Sequence, residues 1–249
     1  MEKMRLLCLP YAGGSAASIY LSWKRKLKEK IEVLPLELAG RGKRLREPLC
    51  TSVNEMVDDL IQKSLPVLQD DSRPYAIFGH SMGGLLAYEL CNKIQELGLP
   101  APTCLIVSGF HPPDKKIEGN LHQLPLDEFA EVIKKSGNVP PSIFEDRDLY
   151  NLFIPILHAD YKLVFSYQYK PKATVLNTDL YAFTGKEDYK VYHQRKEWMI
   201  HTIGKFQDFV FEGGHFFIRQ SEEQVLEKIE EILSTEKPMD KSLPLEKVR

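Results

Sequence analysis

The sequence predicts an α/β protein: a doubly wound, mostly parallel sheet that carries a helical insertion. Three observations lead there. Short apolar runs alternate with segments of helical periodicity, several of those runs end in glycine-rich turns, and between Leu124 and Phe165 the alternation stops while helical spacing continues. The 249 residues suit one large domain, expected over 1–233, with the insertion at about 124–165 and a loose charged tail over 234–249.

Leu6 to Leu9 reads as a buried strand, ended by Pro10-Tyr11-Ala12-Gly13-Gly14, where proline and paired glycine break a ladder. Trp23, Leu27 and Ile31 stand four apart among lysines, which predicts a helix over Ile19 to Lys30 with one buried stripe. Val33 to Leu38 is a second strand. The loop after it, Ala39 to Pro48, holds Arg41, Lys43, Arg44 and Arg46 and reads as a solvated cationic turn. Val53 to Leu68 has helical spacing, Tyr75 to Phe78 is a third strand, and Leu85 to Leu97 is a helix closed by Gly98 and Pro100. Cys104 to Val107, Asp179 to Phe183 and Asp208 to Phe211 are further strands, and Glu222 to Leu233 is the last helix. Inside the insertion Phe129, Val132 and Ile133, then Leu149, Leu152, Phe153 and Ile156, recur at helical spacing.

Composition narrows the functional classes. Lysine and arginine number 33 against 35 acidic residues, so no net field favours nucleic acid or an anionic membrane as partner. Cys8, Cys50, Cys91 and Cys104 are scattered, with no spacing that builds a zinc site, and are expected as buried thiols. The apolar run after the charged start is only Leu6 to Leu9, and nothing approaches the ~18 apolar residues of a membrane span. A soluble, cytoplasmic protein is the expectation, as a monomer by default.

Gly79-His80-Ser81-Met82-Gly83 matches the G-x-S-x-G nucleophile elbow, with a strand entering it and a helix leaving it, as the motif's mechanics require. This context makes Ser81 the expected nucleophile of an α/β-hydrolase fold. A serine hydroxyl needs a histidine base and a carboxylate that holds the base's tautomer, arranged here in the order Ser, acid, His. His215 follows a late strand and a glycine pair, whereas His193 and His201 lie in polar sequence and read as surface residues. His80, within the elbow, reads as packing. The acid belongs in the loop after Tyr181–Thr184, where Asp188 is preferred and Glu187 is the rival. The oxyanion hole takes one amide from Met82 and one from the loop after the first strand, with Ala12 preferred and Tyr11 as the alternative. Gly13-Gly14-Ser15 is not followed by Gly-Lys-Ser/Thr, so a phosphate cradle is disfavoured. This chemistry requires no metal and no redox cofactor.

The chain resembles the type II thioesterases, the stand-alone editing hydrolases of nonribosomal peptide and polyketide synthases. The resemblance runs from Leu6 to about Leu233. It is carried by Leu9-Pro10-Tyr11-Ala12-Gly13-Gly14-Ser15, Gly40-Arg41-Gly42 with Glu47-Pro48, Phe78 to Gly84, Leu124-Pro125, Ala159-Asp160-Tyr161 and Gly213-Gly214-His215-Phe216-Phe217. It implies Ser81, Asp188 and His215 as the triad, a lid over an acyl channel, and a phosphopantetheinylated carrier protein as partner, bearing the acyl thioester. Tyr11, Phe129, Phe153 and Phe165 are then expected at the acyl site, and the Arg41–Arg46 cations gain a second reading as carrier contacts. Ala39 and His158 depart from the family's usual proline and arginine.

Overall fold

The computed structural model describes residues 3–70, 72–137 and 139–235. Six strands form one sheet in the order β2-β1-β3-β4-β5-β6, and every pairing is parallel. They are β1 (Met4–Leu9), β2 (Ile31–Pro35), β3 (Tyr75–His80), β4 (Cys104–Ser108), β5 (Asp179–Gly185) and β6 (Phe206–Phe211). The central strands are continuous apolar runs because a parallel sheet is covered on both faces. Alternate residues separate accordingly. Leu7, Leu9, Ile77, Leu105 and Val107 face one core together with α3 (Val53–Leu68) and α4 (Met82–Glu96), while Leu6, Cys8, Ala76, Phe78 and Ile106 face the other. On that second side lie Trp23 and the stripe Val225, Leu226, Ile229 of the last helix, α10 (Glu222–Thr235).

The helix expected over Ile19 to Lys30 is instead two short ones, α1 (Ala16–Ile19) and α2 (Leu21–Lys26). Trp23, Leu27 and Ile31 are all buried in one core as the stripe requires, but Ile31 already pairs with Met4 as the first residue of β2. A four-residue spacing cannot tell one long helix from a short helix, a turn and a strand that share a buried side.

Three helices fill the interval between β4 and β5 expected for the insertion: α5 (Leu126–Ser136), α6 (Ser142–Glu145) and α7 (Arg147–Phe165). Gly137 ends α5 in the left-handed conformation, φ 69°, and the Asp146 carboxylate starts α7 by accepting from the amides of Asp148 and Leu149 at 2.8 and 3.0 Å. The insertion has its own small core of Phe129, Ala130, Ile133, Ile154 and Leu157. Two further helices, α8 (Tyr189–Gln194) and α9 (Phe217–Gln220), follow β5 and β6. None of the described helices is long and apolar enough to cross a membrane. The four cysteines are thiols, three of them buried and Cys50 half-buried. Ser234 and Thr235 close α10, and the rest of the expected tail lies outside the described residues.

Candidate active site

Ser81 stands between β3 and α4 with φ 55° and ψ −122°, the one non-glycine residue at positive φ among those described. Such a conformation is strained and persists only where the surroundings enforce it. They do so here. The Ser81 amide donates to the Ser108 carbonyl at 2.7 Å, and a Cβ on Gly79 would fall 1.9 Å from the Gly83 carbonyl oxygen. A Cβ on Gly83 would fall 2.4 Å from the Leu9 carbonyl oxygen. Glycine at both positions therefore lets α4 start directly against the end of β1, which brings Met82 beside the Pro10–Gly14 loop.

His215, in the loop after β6, places Nε2 2.9 Å from Ser81 Oγ and Nδ1 2.6 Å from Asp188 Oδ2. Because a carboxylate can only accept, Nδ1 carries the proton and Nε2 is left as an acceptor facing the serine hydroxyl. Asp188 sits between β5 and α8, its side chain 14% exposed, while Glu187 is exposed. The two loops are laced together, since Lys186 N–H donates to the Phe211 carbonyl and Glu187 N–H to the Gly213 carbonyl. The geometry thus joins Ser81, His215 and Asp188 in one hydrogen-bonded chain and leaves Glu187 out of it.

Met82 is the first residue of α4, so its amide is one of those without an intrahelical acceptor. Across from it, the ring of Tyr11 is buried edge-on against His80 and Phe216 and its hydroxyl accepts from Arg219. Burial pushes that hydroxyl's pKa up. Phe153 of α7 lies against the same loop, 2.9 Å from where a Cβ on Gly13 would be. Phe129 is instead fully buried in the insertion's core against His158 and Tyr161, and Phe165 stacks on Tyr161 and His122.

His80 is wholly buried beneath this assembly, as a packing residue should be, with Nδ1 2.8 Å from Ser108 Oγ and its ring 5.3 Å from that of His215. Burial, reinforced by His215 and Arg219, holds its pKa well below the usual histidine value. His193 is exposed as expected, but His201 is not a surface residue. It is buried, with Nε2 2.8 Å from Asp114 and its ring edge-on to Tyr88, Trp198 and Tyr169.

The cationic loop departs furthest from its sequence reading. Arg41 is 3% exposed and forms a two-pronged ion pair with Asp160 of α7, at 2.6 Å on each side. Arg44 pairs with Glu47 and, at 2.7 and 2.6 Å, with Asp59 of α3. Only Lys43 and Arg46 of the four are exposed. Among the described residues no group of three histidine, cysteine or acidic side chains is arranged to hold a metal ion.

The thioesterase-domain model matches residues 4–233. The chain belongs to the thioesterase domain family. Linear gramicidin dehydrogenase LgrE of Brevibacillus parabrevis is 34% identical over 235 residues, 92% of this chain and 88% of that protein. Among solved structures, ClbQ from the colibactin NRPS/PKS pathway is 36% identical with a TM-score of 0.85, covering 94% of this chain and 98% of its own. The type II thioesterase BorB from the borrelidin biosynthetic cluster is 29% identical with a TM-score of 0.81, covering 93% of each chain. The six-stranded parallel sheet is thus that of hydrolase-fold thioesterases.

Proposed function

We propose that this chain hydrolyses acyl thioesters held on the phosphopantetheine arm of a synthase's carrier protein, by a serine mechanism. The observation that carries the chemistry is the chain of hydrogen bonds from Ser81 through His215 to Asp188. His215 takes the Ser81 proton as Oγ attacks the thioester carbonyl, and the Met82 and Ala12 amides receive the oxyanion. The C–S bond breaks, the thiolate leaves with the proton from His215, and an acyl-serine remains. Water, deprotonated by the same imidazole, then attacks the ester, releasing the free acid and restoring Ser81.

The carrier-bound substrate is supported by the relatives, which are named for gramicidin S biosynthesis, the colibactin NRPS/PKS pathway and the borrelidin biosynthetic cluster. Phe153, against the oxyanion loop, and Tyr11 border the reacting end of the acyl group in this reading, whereas Phe129 and Phe165 act at most through the lid. Lys43 and Arg46 are the exposed cations left to meet an acidic carrier. One copy of the chain suffices, and thiol cysteines suit the cytoplasm.

The test is intact mass spectrometry of an acyl-phosphopantetheinyl carrier protein with the enzyme and with Ser81→Ala, with acyl-CoA and a p-nitrophenyl ester as competitors. Rapid loss of the acyl mass from the carrier, slowed by several orders of magnitude in Ser81→Ala, is expected. Ester cleavage without carrier deacylation would replace this reading with a general esterase.

A further inference from the structure

Asp160, on the lid helix α7, is wholly buried, yet its carboxylate serves three donors. Oδ1 accepts from Arg41 Nη2 at 2.6 Å, and Oδ2 accepts from Arg41 Nη1 at 2.6 Å and from the Gly13 amide at 2.7 Å. Gly13 immediately follows Ala12, and at φ +74° it is packed so closely under α7 that a Cβ would meet Phe153 at 2.9 Å and Leu157 at 3.0 Å. From the other side Glu37 accepts from Ser15 Oγ at 2.7 Å and from the Ala16 amide at 2.9 Å. Two carboxylates, Asp160 from α7 and Glu37 from the loop after β2, therefore pin the loop after β1 at Gly13 and at its junction with α1, Ser15 and Ala16.

A buried ion pair is a weak source of stability, because well-packed apolar residues of similar volume often do as well or better. This one holds a backbone amide. The peptide plane it fixes begins at the Ala12 carbonyl, so it sets the Ala12 backbone and with it the direction in which the loop presents its N–H groups. Misplacing such a group by about 1 Å can cost on the order of 10²-fold in rate.

We propose that Asp160 and Arg41 are positioning residues, which orient the Ala12 amide for the oxyanion by clamping the loop after β1 to the lid helix. Asp160 holds the loop, and Arg41, bonded to both oxygens of its carboxylate, holds that carboxylate aimed at the Gly13 amide. The inference rests on the serine-hydrolase reading of the same site.

The experiment compares Asp160→Asn, Arg41→Met, Arg41→Lys and the double variant Arg41→Met/Asp160→Leu. For each, kcat and KM on an acyl thioester are measured together with melting temperature, affinity for the product carboxylate, and affinity for an acyl trifluoromethyl ketone. The ketone's adduct with Ser81 places an oxyanion in the hole, whereas the product does not. Asp160→Asn is expected to lower kcat on the order of 10²-fold with KM nearly unchanged, to weaken the ketone in parallel, and to leave product binding alone. Arg41→Lys should recover part of what Arg41→Met loses. The double variant should regain melting temperature without regaining kcat.

Wild-type kcat and ketone affinity in folded Asp160→Asn would overturn the proposal, as would kcat recovering together with stability in the double variant. If the double variant stays less stable, the ratio of ketone to product affinity, read well below its melting point, decides in the same way. Ser81→Ala separates the two levels. Full turnover there removes the hydrolase reading itself, whereas an inactive Ser81→Ala beside a normal Asp160→Asn removes only the clamp.

Discussion

Gly185, at the end of β5, and Gly214, beside His215, are pressed together: a Cβ on Gly185 would sit 2.3 Å from the Gly214 carbonyl oxygen, while a Cβ on Gly214 would meet nothing within 4 Å. The contact is one-sided, so substitution at its two ends has opposite consequences. Gly185→Ala forces backbone against backbone and should destabilise the fold by about 2–4 kcal/mol while parting the Asp188 and His215 loops. Gly214→Ala should be neutral, or stabilising by up to ~1 kcal/mol through the unfolded chain. Urea unfolding of both variants checks the contrast, and equal losses would refute it.

Asp188 and Glu187 are neighbours in sequence, but only Asp188 reaches His215. Asp188→Ala should lower kcat by roughly 10³–10⁴-fold, the scale of losing a triad acid. Glu187→Ala, at an exposed position, should stay within about twofold of wild type. Steady-state kinetics on one thioester distinguishes them.

His80 gives stability a pH dependence whose sign can be worked out. Its pKa is lowered in the folded protein by burial and by His215 and Arg219, from an ordinary value of 6.5. Below pH 6.5 the unfolded chain takes up a proton that the folded chain refuses, so this contribution to stability is complete above that pH and is lost as pH falls. The slope is at most ~1.4 kcal/mol per pH unit. His80→Gln should flatten the fall in urea midpoint between neutral and mildly acidic pH, and an unchanged slope would assign it to other groups.

Arg44 and Arg46 are two positions apart and should behave differently. Arg44 donates to Asp59, Glu47 and the Glu37 carbonyl, so Arg44→Ala leaves carboxylates without their partner and should cost about 1–3 kcal/mol. Exposed Lys43 and Arg46 should change stability by less than about 0.5 kcal/mol when replaced by alanine. In the carrier-protein reading, replacing that pair instead reduces the salt dependence of turnover. Thermal melts and turnover across a salt series separate the two effects.

What could be read from the chain is what depends on neighbours in sequence. Strands buried on both faces print as apolar runs, and the elbow prints as Gly79 and Gly83 two places either side of Ser81. That Asp188 and His215 would meet beside Ser81 was legible because strand order fixes which loops surround the elbow. His201 was not, because its burial depends on Asp114 and Tyr88, each roughly a hundred positions away. Arg41 and Asp160 lie in two motifs that the family resemblance picked out separately, 119 positions apart, and nothing local says that one is the counterion of the other. Read alone, four cations in ten residues look like a solvated turn, and only the folded chain shows that two of them point inward.

The helical insertion lies wholly between β4 and β5, whereas Ser81, Asp188 and His215 lie outside it. In the carrier-thioesterase reading, acyl preference set by that insertion and bond-breaking set by the frame can therefore be inherited separately, one insertion exchanged for another. Such an exchange has one condition attached. A donated lid must bring a carboxylate to the place of Asp160, since without it the graft would leave the Arg41 guanidinium buried with no counterion, at a cost of several kcal/mol. Chimeras made between relatives should sort on that single position before they sort on anything that touches the acyl chain.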